Sequence, residues 1–148
     1  MRTVLDEANT WFFHALVHRD EKLQVIVAEG IKAAEPEDLV IGTTNLGPSW
    51  RVEVTDKSRW VCVSFARVCA YQAINESLTS ADDYEVFDRG FLRVYERSRY
   101  LDFLRAHAIM EHPMAERARH YCVLTEDHII DVVAVGEPEF EFLQPPAG

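Results

Sequence analysis

The chain has 148 residues, enough for one domain with a hydrophobic core of its own. Apolar residues make up 48% and charged residues 27%, and the net charge of −10 argues against nucleic acid, whose phosphates need Lys and Arg. Three cysteines, none in a CxxC pair, argue against a disulfide framework or a zinc knuckle.

Residues 3–18 read as a helix. Val4, Leu5, Ala8, Trp11, Phe12, Ala15 and Leu16 recur at helical spacing, with Thr3 as N-cap and Asp6 and Glu7 in the first turn. LQVIVAEGI (23–31) is rich in β-branched residues and reads as a strand. Glu35 to Asp38 is a polar break, LVIGTT a short strand, and Asn45 to Ser49 a loop by composition. Trp50, Val52 and Val54 alternate with polar residues, and 56–59 fits a hairpin loop. Residues 60–74 are apolar on both alternating faces. They form one covered strand, or two strands joined at a bend near Arg67.

Residues 75–84 (NESLTSADDY) read as a loop, and Glu85 to Tyr95 as a hairpin turning at Gly90. Ser98 caps a second helix. Its buried side carries Tyr100, Leu101, Leu104 and Ala108, and it fades before His112-Pro113. Residues 120–124 and 128–135 are strands around a TED turn, PEFEFL is a short strand, and 144–148 is a flexible tail. The expected architecture is a single domain (1–148) of the α+β class: a mostly antiparallel bent sheet or small sandwich flanked by two helices. Trp50, Trp60, Phe65, Tyr71, Phe91, Leu101, Leu104 and Ile130 are expected in one core. No apolar run is long enough to span a membrane, and the first residues do not read as a secretory signal, so a cytoplasmic setting is the expectation.

The chemistry-bearing residues are scattered. His14 and His18 sit four apart, but HALVH lacks the glutamate of HExxH. His107, His112, His120 and His128 have no diagnostic ligand spacing, so neither metal nor cofactor is expected. Asp131 interrupts the apolar run HIIDVVAV. A buried carboxylate must be paired, and Arg93 or Arg67 on another strand is the expected partner. The catalytic candidates are Asp131, His120, His128 and Glu76, gathered with the 75–83 loop. In DRGFLRVYERSRYLDFLR, arginines interleave with aromatics, a pattern that suits base stacking but, with Asp88, Glu96 and Asp102 partly cancelling the charge, reads as a salted surface over a core.

NES (75–77), DDYEVFDRGFLRVYERSRYLDFL (82–104) and HYCVLTEDHIIDVV (120–133) resemble a group of small bacterial proteins. The resemblance carries no activity, ligand or site residue, and implies only a bacterial origin. The excess of Arg over Lys, 12 to 3, agrees with a GC-rich genome.

After Arg119 no basic residue follows, while six acids do. Glu126, Glu137, Glu139 and Glu141 are therefore the expected binding residues for a basic protein partner. The leading expectation is a noncatalytic protein-binding domain, of immunity type or otherwise. The competing one is a small enzyme or ligand binder using the 75–83 loop with His120, His128 and Asp131.

Overall fold

A computed structural model describes residues 1–79, 82–107, 113 and 115–147. In chain order the strands are β1 (Trp11–Arg19), β2 (Lys22–Glu29), β3 (Ile31–Lys32), β4 (Glu37–Ile41), β5 (Thr44–Ser49), β6 (Val52–Glu53), β7 (Trp60–Phe65), β8 (Val68–Asn75), β9 (Val86–Phe87) and β10 (Leu92–Arg97). The helix α1 (Arg99–Ala106) follows, then β11 (Ala118–Leu124), β12 (His128–Val135) and β13 (Glu139–Leu143). One sheet has the order β1-β2-β7-β13 and the other β8-β12-β11-β10-β9. Every pairing is antiparallel. Two small ladders, β3-β6 and β4-β5, form an arm between β2 and β7.

The two sheets are joined by one buried cluster. Alternate residues supply it: Val25 and Val27 from β2, Val61, Val63 and Phe65 from β7, Tyr121 and Val123 from β11, Ile130, Val132 and Ala134 from β12. The intervening residues of β12 point to the opposite face, where Val133 and Val135 meet Leu101 and Leu104 of α1. HIIDVVAV is therefore covered on both sides, by the second sheet and by the helix.

The α+β expectation with two flanking helices is overturned. Among the described residues the fold is predominantly sheet, with one helix of seven or more residues. The first expected helix is a single 3-10 turn, Val4–Glu7, followed by strand β1. Thr3 does cap it, accepting from the Leu5 amide while Asp6 accepts from the Thr3 amide. Asn9 and Thr10, both poor helix formers, then follow. The helical spacing came from a β-bulge. The pairing of β1 with β2 shifts between Phe13 and Ala15, so the core-facing residues run Trp11, Phe13, Leu16. One extra residue turns a period of two into an apparent period near three.

Residues 60–74 take the second of their two readings: two strands, lying in different sheets, with the corner at Arg67, whose φ is 50°. Other expectations moved. The segment ending at Val54 does not pair with β7; β6 pairs with β3 instead. The composition of 45–49 suggested a loop, yet Thr44–Ser49 is a strand whose turn is Gly42-Thr43. Gly42 has φ of 62°, which a first turn position of the II′ kind requires. Phe65 and Ile130 are buried in one cluster, with Phe91 packed against it, Leu101 and Leu104 are buried in a second, and Trp60 is buried outside both. Trp50 and Tyr71 are exposed. Ala108 and His112 lie outside the described residues. Among the described residues, no helix is long and apolar enough to cross a membrane.

Candidate functional site

The outer face of the five-stranded sheet is only partly covered by α1. The uncovered part is the floor of a cleft of about 1070 Å³. Every strand of that sheet contributes: Gln72 and Ile74 from β8, Ile129 and Asp131 from β12, His120 from β11, Arg93 and Tyr95 from β10, Phe87 from β9. Tyr100 and Phe103 of α1 form one wall, and Glu76, Thr79, Asp82 and Glu85 another. The second wall is pinned to the helix. Arg99 pairs with Asp82, the Tyr84 hydroxyl donates to Asp102, and Asn75 accepts from the Ser77 amide to start the 76–78 turn.

At the base of the cleft lies a chain of polar groups. Asp131 is 6% exposed, His120 2% and Ser98 1%. Asp131 Oδ1 is 2.8 Å from His120 Nε2, and Oδ2 accepts from Gln72 Nε2 at 2.9 Å. His120 Nδ1 is 2.8 Å from Ser98 Oγ, which also accepts from the Leu101 amide as the N-cap of α1. The tautomer with its proton on Nε2 satisfies all of them: imidazole donates to carboxylate, and hydroxyl donates to imidazole. Tyr95 stacks on the imidazole at 4.1 Å and 12°, and Tyr100 meets it edge-on at 5.5 Å.

Ser, His and Asp in hydrogen-bonded sequence suggest acyl transfer, but the geometry denies it. Asp131 holds Nε2 rather than Nδ1, and the Ser98 hydroxyl is shut beneath the first helical turn. A nucleophile must reach its substrate. The chain instead ties α1 to β11, β12 and β8 and so holds the cleft floor in shape. Asp131 thus finds His120 and Gln72, in place of the arginine expected from sequence. Arg93 lies over the Phe87 ring, 4.4 Å from its centroid.

Of the four catalytic candidates, Asp131, His120 and Glu76 line this one cleft. His128 does not; its ring packs against Phe13 at 5.1 Å, with Nδ1 3.4 Å from Asp127. The four acids expected to bind a basic partner are split. Glu126 joins the cleft from the turn before β12. Glu137 follows the other end of that strand, about 25 Å away along eight residues. There it sits beside Arg67, Arg117 and Arg119. Glu139 and Glu141 are exposed on β13, at the edge of the other sheet. His14 and His18 lie on β1, against Trp60 and Tyr71, not on a helix. Among the described residues, no three His, Cys, Asp or Glu side chains gather as a metal site would need.

The residues missed in sequence are Gln72, Tyr95 and the inward role of Ser98. A signal for the floor existed. Counting back from the TED turn places Cys122 opposite Asp131, so His120 falls two residues away on the same face. Two of the interleaved arginines lie over an aromatic that precedes the run: Arg97 and Arg99 over Tyr84, at 4.8 and 4.6 Å.

Burial pushes the Tyr95 phenol and the Cys122 thiol well above their ordinary ranges. Both are held uncharged by the fold, whereas unfolded chain ionises them at about 10 and 8.5. Their contribution to stability is whole below about pH 8.5. It falls as pH rises further, by up to about 1.4 kcal/mol per unit for each group. Urea midpoints measured at about pH 8 and about pH 10 should therefore decline. A flat profile would place these groups in water.

No protein-family model, curated protein or solved structure matches the chain. The class it defines is structural: two antiparallel sheets packed face to face, with one helix leaning on the outer face of the larger.

Proposed function

We propose that this is a noncatalytic binding protein that takes a basic, aromatic-compatible segment of a protein partner into the outer-face cleft. The observation that carries the reading is the lining. Ile74, Phe87, Tyr95, Tyr100, Phe103 and Ile129 offer apolar and aromatic surface, while five carboxylates against two guanidiniums leave an excess of three negative charges. Aromatic faces and carboxylates together select a cation on an apolar stem, which is an arginine or lysine side chain. At about 1070 Å³ the cleft sits at the upper end of the ~300–1,000 Å³ of ordinary ligand pockets. Two features favour a protein over a small molecule. Leu78, Val86, Phe87 and Phe103 lie exposed on the residues around it, as apolar surface at a docking site does. The buried polar chain is saturated and offers no free nucleophile. A cytoplasmic bacterial setting belongs to this reading, supported by three free thiols.

The test uses a fluorescein-labelled octapeptide of alternating phenylalanine and arginine, with a control in which glutamate replaces arginine. Added to ¹⁵N-labelled protein, the basic peptide shifts amides of 72–79, 85–103 and 120–131, and added salt weakens it. Shifts confined to β13, or equal binding of the acidic control, would refute the reading.

A further inference from the structure

We propose that the arm formed by β4 and β5 is the interface for a second copy of this chain, so that the protein is a two-fold dimer. The strands of the arm pair only with each other. All five residues of β4 are exposed, and β5 has no buried residue. An isolated two-stranded hairpin is marginal in water unless something covers it.

What it exposes is apolar. Leu39, Val40, Ile41, Leu46, Trp50, Val52 and Val54 are seven of the thirteen large hydrophobics exposed among the described residues. Leu39 and Ile41 share a face by strand alternation. The register breaks between Asp38 and Val40, which sets Leu46 and Gly47 across from Leu39. Leu39, Ile41 and Leu46 thus make one patch, with Trp50 further along toward the base. With exposures from 42% to 63%, Leu39, Ile41, Leu46 and Trp50 present on the order of 400 Å², about half of the ~800 Å² each partner gives a standard interface.

Charge identifies the occupant. Leu39 to Trp50 is twelve residues without a charge, the longest such run in the chain. Two copies that each carry −10 repel wherever their acids meet. They can approach closely where there are none. An anionic bilayer is disfavoured, because the run holds no Lys or Arg and the Arg51 that ends it is already paired with Glu37. A two-fold contact of the arms sets each apolar patch against its own copy. This surface is separate from the cleft and does not depend on the reading given for it.

Sedimentation equilibrium of the full chain tests the proposal. At ~10 µM, above the micromolar limit of standard interfaces, the expected mass is twice the 17.0 kDa of the chain. Added salt should tighten the dimer by screening like charges, opposite in sign to its effect on the basic peptide. Leu39→Lys with Ile41→Lys and Leu46→Lys should give a monomer of unchanged circular dichroism, since none of the three belongs to the buried core. Leu46→Glu alone should weaken association at least tenfold and serves if the triple variant is poorly folded. A wild type at 17.0 kDa throughout, or variants that dimerise as tightly as wild type, would overturn it.

Discussion

Replacing Asp131 with alanine is expected to destabilise the fold by about 2–4 kcal/mol, measured as a lower urea midpoint at unchanged slope. The carboxylate is the common acceptor for His120 Nε2 and Gln72 Nε2. Without it, two donors remain at the cleft floor with nothing to meet, and each such loss costs about 1–3 kcal/mol. Partial re-solvation through the cleft offsets some of the cost. The sign of a second substitution separates this account from simple packing. Replacing the acceptor and both donors, as in Asp131→Leu with His120→Phe and Gln72→Leu, leaves only the Ser98 hydroxyl without its partner. That variant should be less damaged than Asp131→Ala. An Asp131→Ala protein with the wild-type midpoint would mean that the carboxylate is solvated and the floor is not held as described.

Leu104→Ala is expected to cost about 2–5 kcal/mol. Leu104 is 3% exposed and meets Val133 and Val135 with Leu101. Eight residues are too few for a helix to persist by its own propensity. The Ser98 cap and these two leucines hold α1 in place, so loosening it also loosens the wall that carries Tyr100 and Phe103. Phe103→Ala is the counterpart. Phe103 is exposed, so its loss should change stability by no more than about 0.5 kcal/mol. It should nonetheless weaken the basic peptide, because its ring lines the cleft. If Leu104→Ala unfolds at the wild-type midpoint, α1 is not part of a second core.

The parts of the fold legible in sequence are those where a local rule and the tertiary structure agree. Ser98 ahead of a periodic apolar stretch announced α1, and TED between two apolar runs announced the β11–β12 hairpin. The N-terminal segment misled because a bulge at His14 displaced Leu16 by one residue. No local rule distinguishes such a displacement from helical periodicity. Trp50 and the strand beside it misled in another way. Their alternation is that of a half-buried strand, yet the arm has no layer to bury against. At the site, Asp131 stood out as a charge inside an apolar run. Its partner was not an arginine, because β11–β12 pairing brings His120 to it before any guanidinium can arrive. The acidic C-terminal third reads as one patch along the chain, but β12 carries Glu126 and Glu137 to opposite ends of a sheet.

The central claim is that the cleft, and not the acidic C-terminal strand, receives a basic partner. Two variants decide it, with affinity for the fluorescein-labelled Phe/Arg octapeptide read by anisotropy. One carries Glu76→Gln, Glu85→Gln and Glu126→Gln in the cleft. The other carries Glu137→Gln, Glu139→Gln and Glu141→Gln beyond it. Each removes three exposed or half-exposed charges, so the change in net charge is the same. The account predicts at least tenfold weaker binding for the cleft variant, on the order of 1.4 kcal/mol, and near wild-type affinity for the other. Wild-type affinity in the cleft variant, with the loss appearing in the C-terminal one, would contradict it.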